Sequence, residues 1–115
     1  MASRTSLEFQ DGRVVCEHLL VAARPLRRMR GLLGRASLPE DEGLLLHPAG
    51  SVHTFFMRFP IDVVFLDQEQ RVVGIEAAVP PWRTASRRGA KAVVELAAGE
   101  CERRGLRVGD RLLAA

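Results

Sequence analysis

Residues 61–79 read IDVVFLDQEQRVVGIEAAV. Two runs rich in valine, isoleucine and phenylalanine flank the polar stretch Gln68–Arg71. This pattern predicts a strand, a tight turn and an antiparallel partner strand. In the first run Asp62, Val64 and Leu66 share one face, and Ile61, Val63 and Phe65 share the other. A carboxylate set among such neighbours is costly unless something pairs with it.

Working outward from this hairpin, the remainder of the chain also reads as β structure. LEFQDGRVV (7–15) has Asp11-Gly12 as a two-residue turn between short apolar segments, a second hairpin signal. VVCEHLLVA (14–22) is apolar on both faces, with Val14, Cys16, His18 and Leu20 opposite Val15, Glu17, Leu19 and Val21, as befits a central strand. LLLH (44–47) is a short strand broken by Pro48-Ala49-Gly50, KAVVEL (91–96) is another, and a turn at Val108–Asp110 leads to a closing strand. Pro25, followed by Leu26, Met29 and Leu33 at helical spacing, predicts a short amphipathic helix over about 25–33. A second helical turn is expected over about 98–104, where Glu100 and Glu102 precede Arg103 and Arg104 in the order that complements a helix dipole. PPWRTASRRGA (80–90) is the longest irregular segment, and a loop of that length is functional or mobile.

About seven short strands with two short helices predict a mainly β domain, at the border of α+β. The expected architecture is a mostly antiparallel sandwich or a barrel-like sheet. The 115 residues suit a single domain (1–115), with 1–6 expected to be disordered. No apolar run reaches the roughly 18–20 residues needed to cross a bilayer. The polar start, with Glu8 and Asp11, shows no signal peptide, so a cytoplasmic protein is expected. Cys16 and Cys101 have no metal-ligand spacing and read as two buried thiols.

The net charge is +3, and sixteen of the seventeen basic residues are arginine, Lys91 being the exception. Arg24, Arg27, Arg28, Arg30 and Arg35 fall in one acid-free stretch; Arg83, Arg87, Arg88 and Lys91 fall in another. Segregation of this kind can build a basic face. A compositional preference for arginine on every solvated surface accounts for it equally, and is the favoured reading.

The segments PLRRMRGLLGR (25–35), HTFFMRFPIDVVFLD (53–67), RVVGI (71–75), PPW (80–82) and VVELAAGECERRGLRVGDRL (93–112) occur together in this order. In that arrangement the chain resembles an uncharacterised prokaryotic family, domain of unknown function 192, from about residue 14 to residue 113. The resemblance implies a predominantly β domain and brings no catalytic residue, cofactor or activity with it. Many relatives have an aromatic-Met-Lys-Asn motif where this chain has Phe56-Met57-Arg58-Phe59, so Phe59 stands where a relative offers an amide. Many members also carry a secretion or lipoprotein signal.

The polar and aromatic residues suggest four kinds of site. Asp62 with His53 offers an acid–base pair, but a structural carboxylate fixing the Pro60 turn, paired with Arg58, His53 or main-chain N–H groups, explains Asp62 as well. His47, His53 and Asp62 invite a metal reading, but a metal needs three or four converging ligands and neither cysteine fits a recognised spacing with them, so neither a metal nor a cofactor is expected. Trp82 near Arg83, Arg87 and Arg88, and Phe55, Phe56 and Phe59 near Arg58, could stack and neutralise single-stranded nucleic acid. Here the phenylalanines are expected in the core, and nucleic acid is the least favoured partner. The preferred expectation is a monomeric, non-catalytic binding domain for a small, possibly anionic ligand or a protein. Its site would comprise His53, Met57, Arg58, Asp62, Trp82 and Arg83, with apolar walls and few polar anchors.

Overall fold

The computed structural model describes residues 5–22 and 35–115. The chain forms β1 (Thr5–Phe9), β2 (Val14–Ala22), β3 (Glu42–Leu46), β4 (Ser51–His53) and β5 (Ile61–Leu66). It continues with β6 (Val72–Val79), β7 (Thr84–Ser86), β8 (Ala92–Ala97), α1 (Glu100–Arg103) and β9 (Leu112–Ala114). Seven strands make one sheet in the order β6-β5-β8-β3-β2-β1-β9, and β4 pairs with β7 in a small separate sheet.

The 61–79 hairpin forms as its pattern predicts, with β5 paired to β6 and, on its other side, to β8. All neighbours are antiparallel except β2 and β3. A parallel pair needs a crossover of a dozen or more residues, and residues 23–41 provide it in length. At the far ends of the sheet Arg71 and Arg111 make an isolated bridge, reinforced by Val72 N–H to Asp110 O at 2.8 Å and Leu112 N–H to Gln70 O at 3.0 Å. The sheet thus curls until its two ends touch at one corner, and remains sandwich-like rather than a closed barrel.

The continuous apolar run of β5 is explained by burial on both sides. Val64 and Leu66 join Val94, Leu96, Leu7, Leu19 and Leu112 inside the curl. Ile61, Val63 and Phe65 join Val93, Leu38, Val52, Met57 and Phe59 on the outer face. Gly43 lets β2, β3 and β8 close up: a Cβ there would meet Leu96 Cδ2 at 2.9 Å and Cys16 Sγ at 3.0 Å. Both cysteines are free and buried.

Several boundaries differ from the sequence reading. There are nine strands among the described residues, because β4 and β7, three residues each, carry too little pattern to be read. β7 lies inside the expected 80–90 loop, and Thr5 and Ser6, expected to be disordered, begin β1. The helix expected over 98–104 contracts to the single turn Glu100–Arg103. The helix expected over 25–33 lies outside the described residues. In β2 the predicted alternation slips, since the register to β1 shifts between Thr5↔Leu19 and Leu7↔Cys16. That extra residue is a β-bulge, so Val15, Cys16, Leu19 and Ala22 are buried while Leu20 and Val21 face out.

Candidate functional site

The segment between β4 and β5 begins with Thr54, which is fully buried and holds two loops together. Its Oγ1 donates to Pro80 O at 2.7 Å and accepts the Arg83 N–H at 2.9 Å. Its main chain takes the Trp82 N–H at 3.0 Å and gives its own N–H to Arg83 O at 2.8 Å. Beside this knot β4 pairs with β7 through Ser51↔Ser86, Val52↔Ala85 and His53↔Thr84. A threonine suits the task because one hydroxyl both donates and accepts.

Thr54 O also accepts the Met57 N–H at 3.2 Å, closing a turn over Phe55 and Phe56. Phe56, third in that turn, has φ 67°, the left-handed conformation that such a place ordinarily reserves for glycine or asparagine. Trp82 is held at φ 66° in the facing loop. Bulky side chains in that region carry strain of roughly 1–3 kcal/mol each, sustained only when surrounding bonds impose it. The turn sends Met57 and Phe59 down into the outer core and leaves Phe55 and Phe56 at the surface.

The result is a row of rings. His53 stacks on Phe55 with centroids 4.9 Å apart, Phe55 stacks on Trp82 at 5.8 Å, and Trp82 meets Phe56 at 4.6 Å with planes tilted by 60°. Phe56 and Trp82 are 63% and 56% exposed. Arg58 and Arg83, both exposed, make no ion pair with another described residue. Arg83 also borders a shallow recess of about 250 Å³ with Glu76, Ala78, Val79 and Pro80. His53 is partly buried, and its Nδ1 has no hydrogen-bond partner among the described residues.

Asp62 does not belong to this surface. Only 1% exposed, it accepts the Ala78 N–H on Oδ1 at 2.8 Å and the Gly99 and Cys101 N–H groups on Oδ2 at 3.1 and 3.0 Å. Its partners are therefore main-chain groups of β6 and of the start of α1, rather than Arg58, His53 or the Pro60 turn. Met57, at 7% exposure, lies beneath the rings rather than among them. Of the six residues singled out from the sequence, the ring row includes His53 and Trp82, with Arg83 next to Trp82 in the chain. Phe55 and Phe56, which the sequence offered as stacking groups for nucleic acid, and Thr54 lie outside those six. Two adjacent phenylalanines cannot both point inward from one strand, a signal that was available for the first two. Among the described residues no group of three His, Cys, Asp or Glu side chains is arranged to hold a metal.

The basic stretch at 83–91 is partly engaged. Arg87 lies over Gly74, with its guanidinium 5.8 Å from the centre of the Phe65 ring and 3.4 Å from Glu76 Oε1. Arg103 and Arg104 pair with Glu100, Glu40 and Glu17.

With this geometry in view, comparison with known proteins finds a match over residues 7–114 to domain of unknown function 192, described as "Uncharacterized ACR". The chain belongs to this family. A UPF0127 protein of Thermococcus sibiricus is 31% identical over 110 residues, covering 88% of this chain and 68% of that protein. Another UPF0127 protein, from Pyrococcus furiosus, is 44% identical over 63 residues, 54% of this chain; the match spans 53%, about half, of the relative's length. A solved structure from Sinorhizobium meliloti, described as a suspected transcription regulator, superimposes with a TM-score of 0.81 at 25% identity. The match covers 99% of this chain and 94% of that one. The family is thus one of unknown function, and its fold is the mostly β sheet described above.

Proposed function

We propose that this member of the family is a binding module that docks a partner protein on the row His53–Phe55–Trp82–Phe56. Arg58, two residues after Phe56, and Arg83, next to Trp82, both exposed, would meet acidic groups on the partner. The observation that carries this reading is the exposure of three large aromatic side chains, Phe55 and Phe56 each against Trp82, two of them in left-handed backbone. Folded chains seldom leave such rings to water without use. Tryptophan, arginine and other aromatics also dominate the residues on which protein interfaces depend. A surface row favours a protein over a small ligand, which more often fills a concave site. Because Thr54 fixes both loops, little ordering would remain to be done on docking, which conserves affinity.

The acid–base alternative has less support. Asp62 is sealed from solvent and committed to three main-chain donors, whereas a general base must reach the proton it takes.

The test is site-specific photo-crosslinking in the native cell, with a benzophenone amino acid at position 56 or 82 and, as control, at Val108, which is 64% exposed. The expected result is a discrete protein adduct from 56 and 82 that is missing from 108 and weakened by Arg58→Ala with Arg83→Ala. Adducts of equal pattern from all three positions would overturn the reading. A second reading, single-stranded nucleic acid, is favoured by the same rings beside arginines and by the description of the S. meliloti protein. Trp82 is the sole tryptophan, so its fluorescence reports directly. Quenching by an oligonucleotide with steep salt dependence, in the absence of protein adducts, would put nucleic acid in place of the protein partner.

A further inference from the structure

Between the ends of β2, β3 and β5 and the starts of β8 and β9 lies a groove of about 310 Å³. Its walls are apolar: Leu7 and Leu112 from β1 and β9, Val21 and Leu45 from β2 and β3, and Leu66 and Ala92 from β5 and β8. Leu7, Leu66, Ala92 and Leu112 also belong to the inner core and are at most 7% exposed, so they form the floor of the groove, and Val21 and Leu45 its more open walls. His47, Lys91, Asp67, Gln68 and Gln70 supply its polar groups.

The polar groups are unequal. Asp67 is turned into its own loop, where Oδ1 accepts the Glu69 and Arg71 N–H groups at 2.8 and 2.9 Å. Lys91 is the chain's one lysine and makes no ion pair or side-chain hydrogen bond with another described residue. An ammonium is a compact charge on a flexible stem that can follow a ligand's head, unlike the planar fork of arginine. Apolar walls with a few convergent polar groups describe a small-molecule site, and a volume near 300 Å³ is at the small end of that class.

We propose that this groove binds a short aliphatic carboxylate, its tail along Leu7, Leu45, Leu66 and Leu112 and its carboxylate at Lys91, with His47 and the Gln68 and Gln70 amides nearby. The charge match selects the anion: Lys91 is the one ionic side chain in the groove without a partner among the described residues, and it is a cation. This site is independent of the protein-docking row, and either can fail without the other.

Octanoate, octanol and octylamine serve as probes, titrated into isotopically labelled protein and followed by amide shifts. Octanoate is expected to move Leu45–His47, Leu66–Gln70 and Lys91–Ala92 while leaving Trp82 and its fluorescence unchanged. Octanol and octylamine are expected to bind at least about tenfold more weakly. Lys91→Met, an exposed change that spares the core, should reduce octanoate to the affinity of octanol. Val21→Trp, on an outward position of β2, should block all three. The proposal is overturned if octanoate shifts no groove residue at millimolar concentration. It is equally overturned if the three probes bind alike, or if Lys91→Met leaves octanoate affinity unchanged.

Discussion

Asp62 and Ala78 face each other where β5 and β6 fall out of step. Ile61 pairs with Val79 but Val63 pairs with Glu76, so β6 carries an extra residue at this point. Ala78, at φ 49°, has its N–H turned from the ladder and bonded to Asp62 Oδ1 at 2.8 Å. The other carboxylate oxygen ties the same point to Gly99 and Cys101 at the start of α1. One buried charge thereby joins a bulge, the strand beside it and the helical turn that follows β8.

Replacing Asp62 by alanine leaves three main-chain donors without their acceptor in a site that is 1% exposed. Hydrogen bonds to a charged group are each worth about 1.5–3 kcal/mol, and unsatisfied buried donors add to the loss. The expected destabilisation is at least about 3 kcal/mol in urea unfolding. A loss below about 1 kcal/mol would show that Asp62 does not hold these elements together.

Thr54→Val keeps the shape and removes the hydroxyl that bridges Pro80 O and Arg83 N. Stability should fall by about 1–3 kcal/mol, since a part-buried N–H and a carbonyl lose their partner. The larger consequence concerns Trp82, whose left-handed backbone is imposed by these bonds. Its emission should shift and its anisotropy drop at temperatures well below unfolding. Unchanged anisotropy would mean that the loop holds its form without Thr54.

What the sequence made legible follows from how far each signal extends along the chain. The β5–β6 hairpin, β8 and the inward faces of β5 were readable because long apolar runs bounded by polar turns have few other outcomes. β4 and β7 were not, because three residues define no period. The slip in β2 depends on its register against β1, a relation between distant residues that neither strand shows alone. The need of Asp62 for partners was visible, whereas their identity was not: Ala78, Gly99 and Cys101 offer main-chain N–H groups, which every sequence contains. Phe55 and Phe56 were assigned to the core by their chemistry, and only the turn closed by Thr54 and Met57 turns them outward.

The cysteines should be inert in the native protein. Burial pushes the Cys16 thiol up to about 11. Burial also raises Cys101, and the adjacent Asp62 carboxylate raises it further. Because the thiolate is the reacting form, neither should react with a thiol reagent at pH 8 faster than the protein opens. Two equivalents should react once urea unfolds it. Rapid modification of either thiol in the folded protein would contradict the burial described here.

The acid limb of stability should be set in part by Glu100. This carboxylate is 3% exposed and is gripped by Arg103, with Nε to Oε2 at 2.6 Å and Nη2 to Oε1 at 2.7 Å, and by Arg104 Nε at 3.3 Å. Arg104 continues to both oxygens of Glu17 at 3.1 and 3.2 Å and to Val14 O, tying α1 to β2. The Arg103 hydrogen bonds, opposed by burial and aided by Arg104, hold Glu100 below the ordinary value of 4.5. Glu17 is lowered in the same way, chiefly by its bonds to Arg104. A carboxyl group that is more acidic folded than unfolded binds fewer protons in the native state, so its contribution is whole above the unfolded value. That contribution drains away as pH falls through the folded value. Unfolding free energy should therefore lose this part below about pH 4.5 and be insensitive to Glu100 titration near neutrality. Glu100→Gln should lower stability at pH 7 and flatten the decline on the acid side. The two proteins should converge as pH falls below about 4.5, because the unfolded chain then takes up a proton that the arginine-held carboxylate of the native state resists. Parallel pH profiles for the two proteins, measured by urea unfolding across pH 3–7, would show that the Arg103–Glu100–Arg104 cluster does not govern acid stability.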